Sequence, residues 1–244
     1  MFNAEKIKDE IIQWVRDYFE ENGRDCSAVI GISGGKDSSI TAAICAQALG
    51  PKRVYGVLMP CGTQHDIGYS QELVDLLGIK YYTINIKNSV ESLIKSVNEC
   101  GLLVNKQASI NTPARIRMTS LYAVSAIING RVANTCNLSE DWIGYSTKFG
   151  DAAGDFSPLS QLTVTEVKLL GRELALPEKF INKVPEDGLS GLSDEENIGF
   201  SYNVLDRYIR DGVCDDVKIK ERIDTLHKIN LHKIKLMPSY SLGI

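Results

Sequence analysis

The sequence predicts an α/β chain, a doubly wound parallel sheet followed by a smaller C-terminal helical lobe. Three observations carry that expectation. Short apolar runs alternate with helix-length amphipathic ones through the first half of the chain. The ends of these runs are polar or rich in glycine, as the carboxyl ends of ligand-binding strands are. Past residue 144 the strand-like runs stop and a helical pattern takes over.

The elements follow in order. Residues 3–22 read as a helix with Ile7, Ile11, Trp14, Val15 and Tyr18 on one face. The segment CSAVIGI (26–32) is a buried strand, and residues 37–49 form a helix. A second strand, RVYGVLM (53–59), leads to a helix over 66–77 that stops at Gly78. A third strand, KYYTINI (80–86), leads to a helix over 88–100 that stops at Gly101. In the next helix Thr112 can cap and Pro113 suits the first helical position, so it should run over 113–129. RVANTCN (131–137) is a fourth strand, and a Gly-rich loop over 144–155 follows. Beyond it come helices at 163–175, near 201–210 and at 216–229, with a loop at 182–193 that has the composition of a mobile lid. The chain reads as one domain over 1–244, with a core over 25–160 and a helical lobe over 161–244.

Composition narrows the function. The chain has 244 residues, enough for one sizeable core, and a net charge of −4, which argues against a nucleic-acid coat or a membrane surface. No run of apolar residues approaches the ~20 of a membrane span. The first 23 residues form an acid-bearing amphipathic helix, so the expected location is the cytoplasm. The six cysteines are scattered and form no CxxC pair, which disfavours zinc; Cys26, Cys45 and Cys136 read as reduced core residues.

Residues 29–50, VIGISGGKDSSITAAICAQALG, look like a phosphate loop. A Walker A match fails, because Ile30 stands where glycine is needed and Lys36 is followed by Asp37; the GxGxxG spacing fails as well. What remains is a strand, a Gly-x-Ser-Gly-Gly-x-Asp-Ser turn and a helix. Glycines permit close backbone approach, and the helix N-terminus offers free N–H groups to an anion. Asp37 would repel a bare phosphate. A divalent cation between them removes the conflict, so the aspartate predicts a metal-bound polyphosphate. Asp37 as a plain helix cap is the blander alternative. Downstream, Arg115 and Arg117 lie in the first turns of a helix, where the macrodipole disfavours cations, and this suggests an anionic ligand.

SGGKDSS (33–39) resembles the pyrophosphate loop of the N-type ATP pyrophosphatases, which adenylate a substrate oxygen and release pyrophosphate. That likeness implies an adenine nucleotide alpha hydrolase-like, Rossmann-like sheet. The segments ANTCNLSEDWIGYSTKFGDAAGDFSPL, SDEENIGFSYNVLDRYI (193–209) and LHKIKLMPSY (231–240) resemble the NAD synthetase branch, so the similarity spans about residues 25–240. It implies ATP-dependent amidation of nicotinic acid adenine dinucleotide (deamido-NAD) by ammonia, through an acyl-adenylate, with AMP and pyrophosphate released. By the same resemblance Gly31, Ile32, Ser33, Gly34, Gly35, Lys36, Asp37 and Ser38 cradle the ATP phosphates and Thr135 contacts ATP. Asp37 and Glu140 hold Mg2+; Arg115, Lys148, Asp155, His232 and Lys233 bind the dinucleotide, and Asp37, Glu140, Lys148 and Asp155 are the catalytic set. The chain departs from the family pattern at Val164, where lysine is usual, and at Glu186, where threonine is usual.

Two other readings compete: a sulfur-transfer relative that also adenylates, and a nucleotide-binding protein without turnover. The first wants a reactive cysteine pair and a basic face, which the composition lacks. Free ammonia is the expected nitrogen donor; Cys61, near His65, reads as a loop cysteine beside the ATP site. The helix over 113–129 is apolar nearly all round, with Ile116, Met118, Leu121, Tyr122, Val124, Ile127 and Ile128, and this predicts a homodimer.

Overall fold

The computed structural model describes residues 2–64, 67–183 and 194–242. His65, Glu186 and nearly all of the expected lid loop lie outside the described residues.

The predicted doubly wound sheet is present. Strands β1 (Ser27–Gly31), β2 (Val54–Leu58), β3 (Lys80–Thr83) and β4 (Gly130–Val132) run parallel in the order β3-β2-β1-β4. The chain winds from β1 out to β3, then returns to place β4 on the other side of β1. The reversal opens a crevice between the carboxyl ends of β1 and β4, which is where α/β sheets bind ligands.

Side chains alternate along β1 and so feed two cores. Ala28 and Ile30 face helices α1 (Ala4–Asn22), α2 (Lys36–Leu49) and α3 (Ile67–Leu77). Val29, with Val57 and Val132, faces α4 (Lys87–Glu99) and α5 (Lys106–Ile128) through Val90, Met118, Leu121 and Val124. Apolar burial of this kind stabilises by roughly 25 cal/mol per Å². The stripe on α1 differs from expectation. Ile12, Val15 and Phe19 are its buried residues, whereas Trp14 is 45% exposed.

The fifth helix is longer than Pro113 suggested. It begins at Lys106, because the Asn105 side chain accepts from the amide of Ala108 and caps it there. Pro113 therefore lies inside the helix and leaves the Ser109 carbonyl without its helical donor. The fourth strand is shorter than expected, ending at Val132 rather than residue 137. Asn134 bends the chain away: its amide donates to the carbonyls of Asp151 and Ala153, and its Oδ1 accepts from the Cys136 amide. The last predicted strand residue, Asn137, instead caps a short helix, α6 (Leu138–Ile143).

The C-terminal part consists of α7 (Val164–Glu173), α8 (Glu178–Ile181), α9 (Asp194–Ile198), α10 (Tyr202–Asp211) and α11 (Val217–Asn230). Ile143, Val164, Ile198, Phe200, Leu205 and Ile223 form its own apolar cluster. Helix α7 joins this cluster through Val164 and the sheet core through Val167 and Leu170.

Candidate active site

The turn between β1 and α2 is held by its own serines. Ser33 and Ser38 hydroxyls lie 3.1 Å apart, the Gly35 amide donates to Ser33 Oγ, and Ser38 and Ser39 hydroxyls donate to the Gly35 carbonyl. Gly34 has φ 75, and a Cβ there would lie 3.0 Å from Tyr69 Cβ and 3.1 Å from Ser70 N, so only glycine fits. No side chain caps α2 at Gly35. The first turn of the helix thus keeps the orphan N–H groups that anion binding needs.

Asp37, at the start of α2, and Glu140, on α6, come together across the crevice. Asn137 connects them: its Nδ2 donates to Asp37 Oδ1 at 3.0 Å, and its backbone amide donates to Glu140 Oε2 at 3.3 Å. Asn137 Oδ1 accepts from the Glu140 amide at 3.1 Å, completing a capping box. Lys36 is folded inward, 3% exposed, with Nζ 2.7 Å from Asp37 Oδ2 and 3.8 Å from Glu140 Oε1. Burial alone would push this ammonium down, but the two carboxylates outweigh it and hold the group above its ordinary value. Glu140 is raised as well, by burial first and then by the charge of Asp37, against the opposing pull of Lys36 and the Asn137 amide. The Tyr202 ring stands 5.8 Å from Lys36 Nζ, and its buried hydroxyl has no hydrogen-bond partner among the described residues.

The donor set suits a hard cation held jointly with phosphate. Among the described residues no three His, Cys, Asp or Glu side chains gather as a metal site. Magnesium ordinarily takes one or two carboxylates and fills its octahedron with phosphate oxygens and water, so the Asp37–Glu140 pair fits that use and not a closed protein cage.

The remaining expected residues fall into separate groups. Arg115 Nε donates to the Lys148 carbonyl, and Lys148 Nζ donates to the His232 carbonyl at 2.7 Å, so these three form a chain. Lys233 Nζ donates to the Gly144 carbonyl at 2.6 Å. Arg117 turns inward instead, donating to the Met59 carbonyl at the end of β2, and burial lowers it. Thr135 is half-buried in the turn after β4. Asp155 sits at the edge of β4, accepting from the Val132 amide at 2.7 Å and from the Tyr122 hydroxyl at 3.1 Å; none of its hydrogen-bond partners belongs to the phosphate loop. Of these residues Asp155 and Lys233 line a cleft of about 350 Å³, together with Asn134, Asp141, Ser160 and Ile234 among others. Burial and the neighbouring Asp151 push Asp141 up to about 6.

Val164, at the position where the family pattern has lysine, is a 3% exposed core residue whose amide donates to Ser139 Oγ. Lys183 lies with Nζ 5.0 Å from the ring of Tyr69, the residue whose Cβ lies beside Gly34. The sequence reading missed the bridging role of Asn137, although the N-x-x-E spacing of a capping box is visible in 137–140. It also missed the inward turn of Lys36, for which one chain carries no local signal. The ties of Asp206 to the Ser139 hydroxyl and to the Thr165 amide and hydroxyl were invisible for the same reason.

Three comparisons with known proteins concern the chain as a whole. The profile of the NAD synthase family matches residues 7–240. The NH(3)-dependent NAD(+) synthetase of Pyrococcus horikoshii is 34% identical over 242 residues, covering 93% of each chain. Among solved structures, NMN synthetase from Francisella tularensis superposes with a TM-score of 0.91 at 31% identity, covering 99% of this chain and 100% of that one. NH3-dependent NAD synthetase from Campylobacter jejuni gives 0.81 at 26% identity, covering 99% and 100%.

Proposed function

The chain belongs to the NAD synthase family, and from that premise we propose that it amidates the carboxylate of deamido-NAD with ammonia, spending ATP to AMP and pyrophosphate. The observation that carries the reading is the phosphate turn after β1 with Asp37 facing Glu140 across the crevice. The uncapped first turn of α2 receives the triphosphate. Asp37 and Glu140 would hold magnesium, which would supply charge neutralisation of the phosphates while the substrate carboxylate attacks the α-phosphorus. The chain's own part is positioning. Asn137 fixes both carboxylates, and Ser33 and Ser38 orient the turn. No side chain need act as a covalent nucleophile, because attack on the resulting acyl-adenylate comes from ammonia.

The cleft of about 350 Å³, with Lys233 and Asp155 on its wall, suits the substrate nucleotide. We assign Arg115 and Lys148, the latter tied to the His232 carbonyl, as the cations that meet its phosphates. The protein acts as a homodimer, covering the outer face of α5, where Ile127 is 84% exposed and Ile110 40%. No helix is long and apolar enough to cross a membrane among the described residues, in keeping with a cytoplasmic enzyme.

A second reading is favoured by one observation, the TM-score of 0.91 to an NMN synthetase against 0.81 to an NAD synthetase. In it the acceptor is the mononucleotide, nicotinic acid mononucleotide, and the chemistry is unchanged. Turnover with ATP, magnesium and ammonium is measured with deamido-NAD and with the mononucleotide at equal concentration. The proposal expects the higher kcat/KM on deamido-NAD. A reversed preference establishes the second reading, and no AMP with either substrate defeats both.

A further inference from the structure

We propose that the Lys36 ammonium is a resident cation of the active site: without nucleotide it stands between Asp37 and Glu140 where a divalent ion would sit, so that metal enters only with the triphosphate. The proposal rests on the reading of Asp37 and Glu140 as the metal pair.

The placement of Lys36 is costly by two counts. It is the first residue of α2, where the helix macrodipole disfavours a cation, and it is 3% exposed, so its charge has lost most of its water. A lysine at the start of a helix can normally turn into solvent. Here it turns inward, 2.7 Å from Asp37 Oδ2 and 3.8 Å from Glu140 Oε1, with the buried Asp194 adding attraction and the Tyr202 ring alongside. What offsets both costs is the pair of carboxylates. Without Lys36 they would face each other uncompensated, joined only by the neutral Asn137. An ammonium and a magnesium ion satisfy the same oxygens, so one excludes the other at full strength. A triphosphate arriving at the same helix end brings several negative charges. Lys36 can then pair with phosphate, which frees the carboxylates for the metal.

The test is metal binding to the nucleotide-free protein, read by the electron paramagnetic resonance of free Mn2+. Lys36→Met keeps the length of the side chain and removes its charge; Lys36→Gln keeps a polar end and serves if the methionine variant fails to fold. The wild type should bind Mn2+ weakly, and either variant at least ~10-fold more tightly, the equivalent of one modest charge interaction. The variants should also melt below wild type without metal and regain the loss when Mn2+ is added, whereas wild type should show no such gain. Equal or weaker Mn2+ binding by the folded variant overturns the proposal. So does a melting loss that Mn2+ does not restore, which marks Lys36 as a purely structural ion pair. The reading beneath it is tested separately: if ATP-dependent Mn2+ binding survives in Asp37→Ala, the metal pair itself is wrong, whatever Lys36 does.

Discussion

Both oxygens of Asp37 are engaged, one by Lys36 and one by Asn137, so its carboxylate is aimed and not free to rotate. Glu140 is aimed in the same way through its capping box with Asn137. Truncating either leaves phosphate charge uncompensated in a partly dry crevice, and Asp37→Ala and Glu140→Ala should each lower kcat/KM at least ~100-fold, about 2.7 kcal/mol of transition-state stabilisation. Steady-state assays with saturating ATP read this directly; near-normal turnover in either variant refutes the pairing. Asp141, on the wall of the cleft, gives a pH signature. Its carboxyl is raised to about 6, first by burial and then by Asp151. A raised acid contributes stability below its ordinary value near 3.8 and loses it as pH climbs through about 6. Denaturant melts of Asp141→Asn should therefore fall less than wild type between pH 4 and 7, by up to about 2 kcal/mol. Parallel curves would contradict the assignment.

Among the elements, α7 is the seam between the sheet core and the helical lobe, so its first turn has leverage over both. Thr163 is 1% exposed and closes a capping box with Glu166, which also pairs with Arg210 on α10. Thr163→Ala should cost about 1 kcal/mol or somewhat more in denaturant melts, the ordinary loss of a cap in a buried setting. An unchanged midpoint would mean that the cap is idle. The seam also shows what one chain can disclose about elements. Period and punctuation were enough to find α2, α7, α10 and all four strands, because apolar or aromatic runs with glycine or polar boundaries mark them. They misplaced α5, because Pro113 is a strong local start signal that tertiary packing overrode, while Asn105 supplied the true cap. They overextended β4 because Asn134 turns its side-chain amide onto the loop over 151–153, and that tie joins residues distant in sequence. Short α6 and α8 lack the length for a periodic signal.

At the scale of the molecule, winding order explains why the phosphate turn and Glu140 meet at all. β4 returns beside β1, so a turn after residue 31 and a helix after residue 137 share one crevice. That meeting was legible from strand counting and motif chemistry. What was not legible is the separation of Asp155 from the phosphate turn, since its carboxylate is taken by β4 and Tyr122. The outer face of α5 bears on assembly. Ile127→Glu should shift the protein toward monomer in light scattering at micromolar concentration, while the melt of the monomer changes little because Ile127 is 84% exposed. A wild-type protein that is already monomeric would rule out the dimer. The central claim is adenylating amidation at this crevice. It is tested most directly by incubating the purified protein with ATP labelled in the α-phosphate, magnesium, ammonium and deamido-NAD. The account predicts labelled AMP and pyrophosphate in one-to-one ratio with NAD. Labelled ADP formed in step with the amidated product would contradict it.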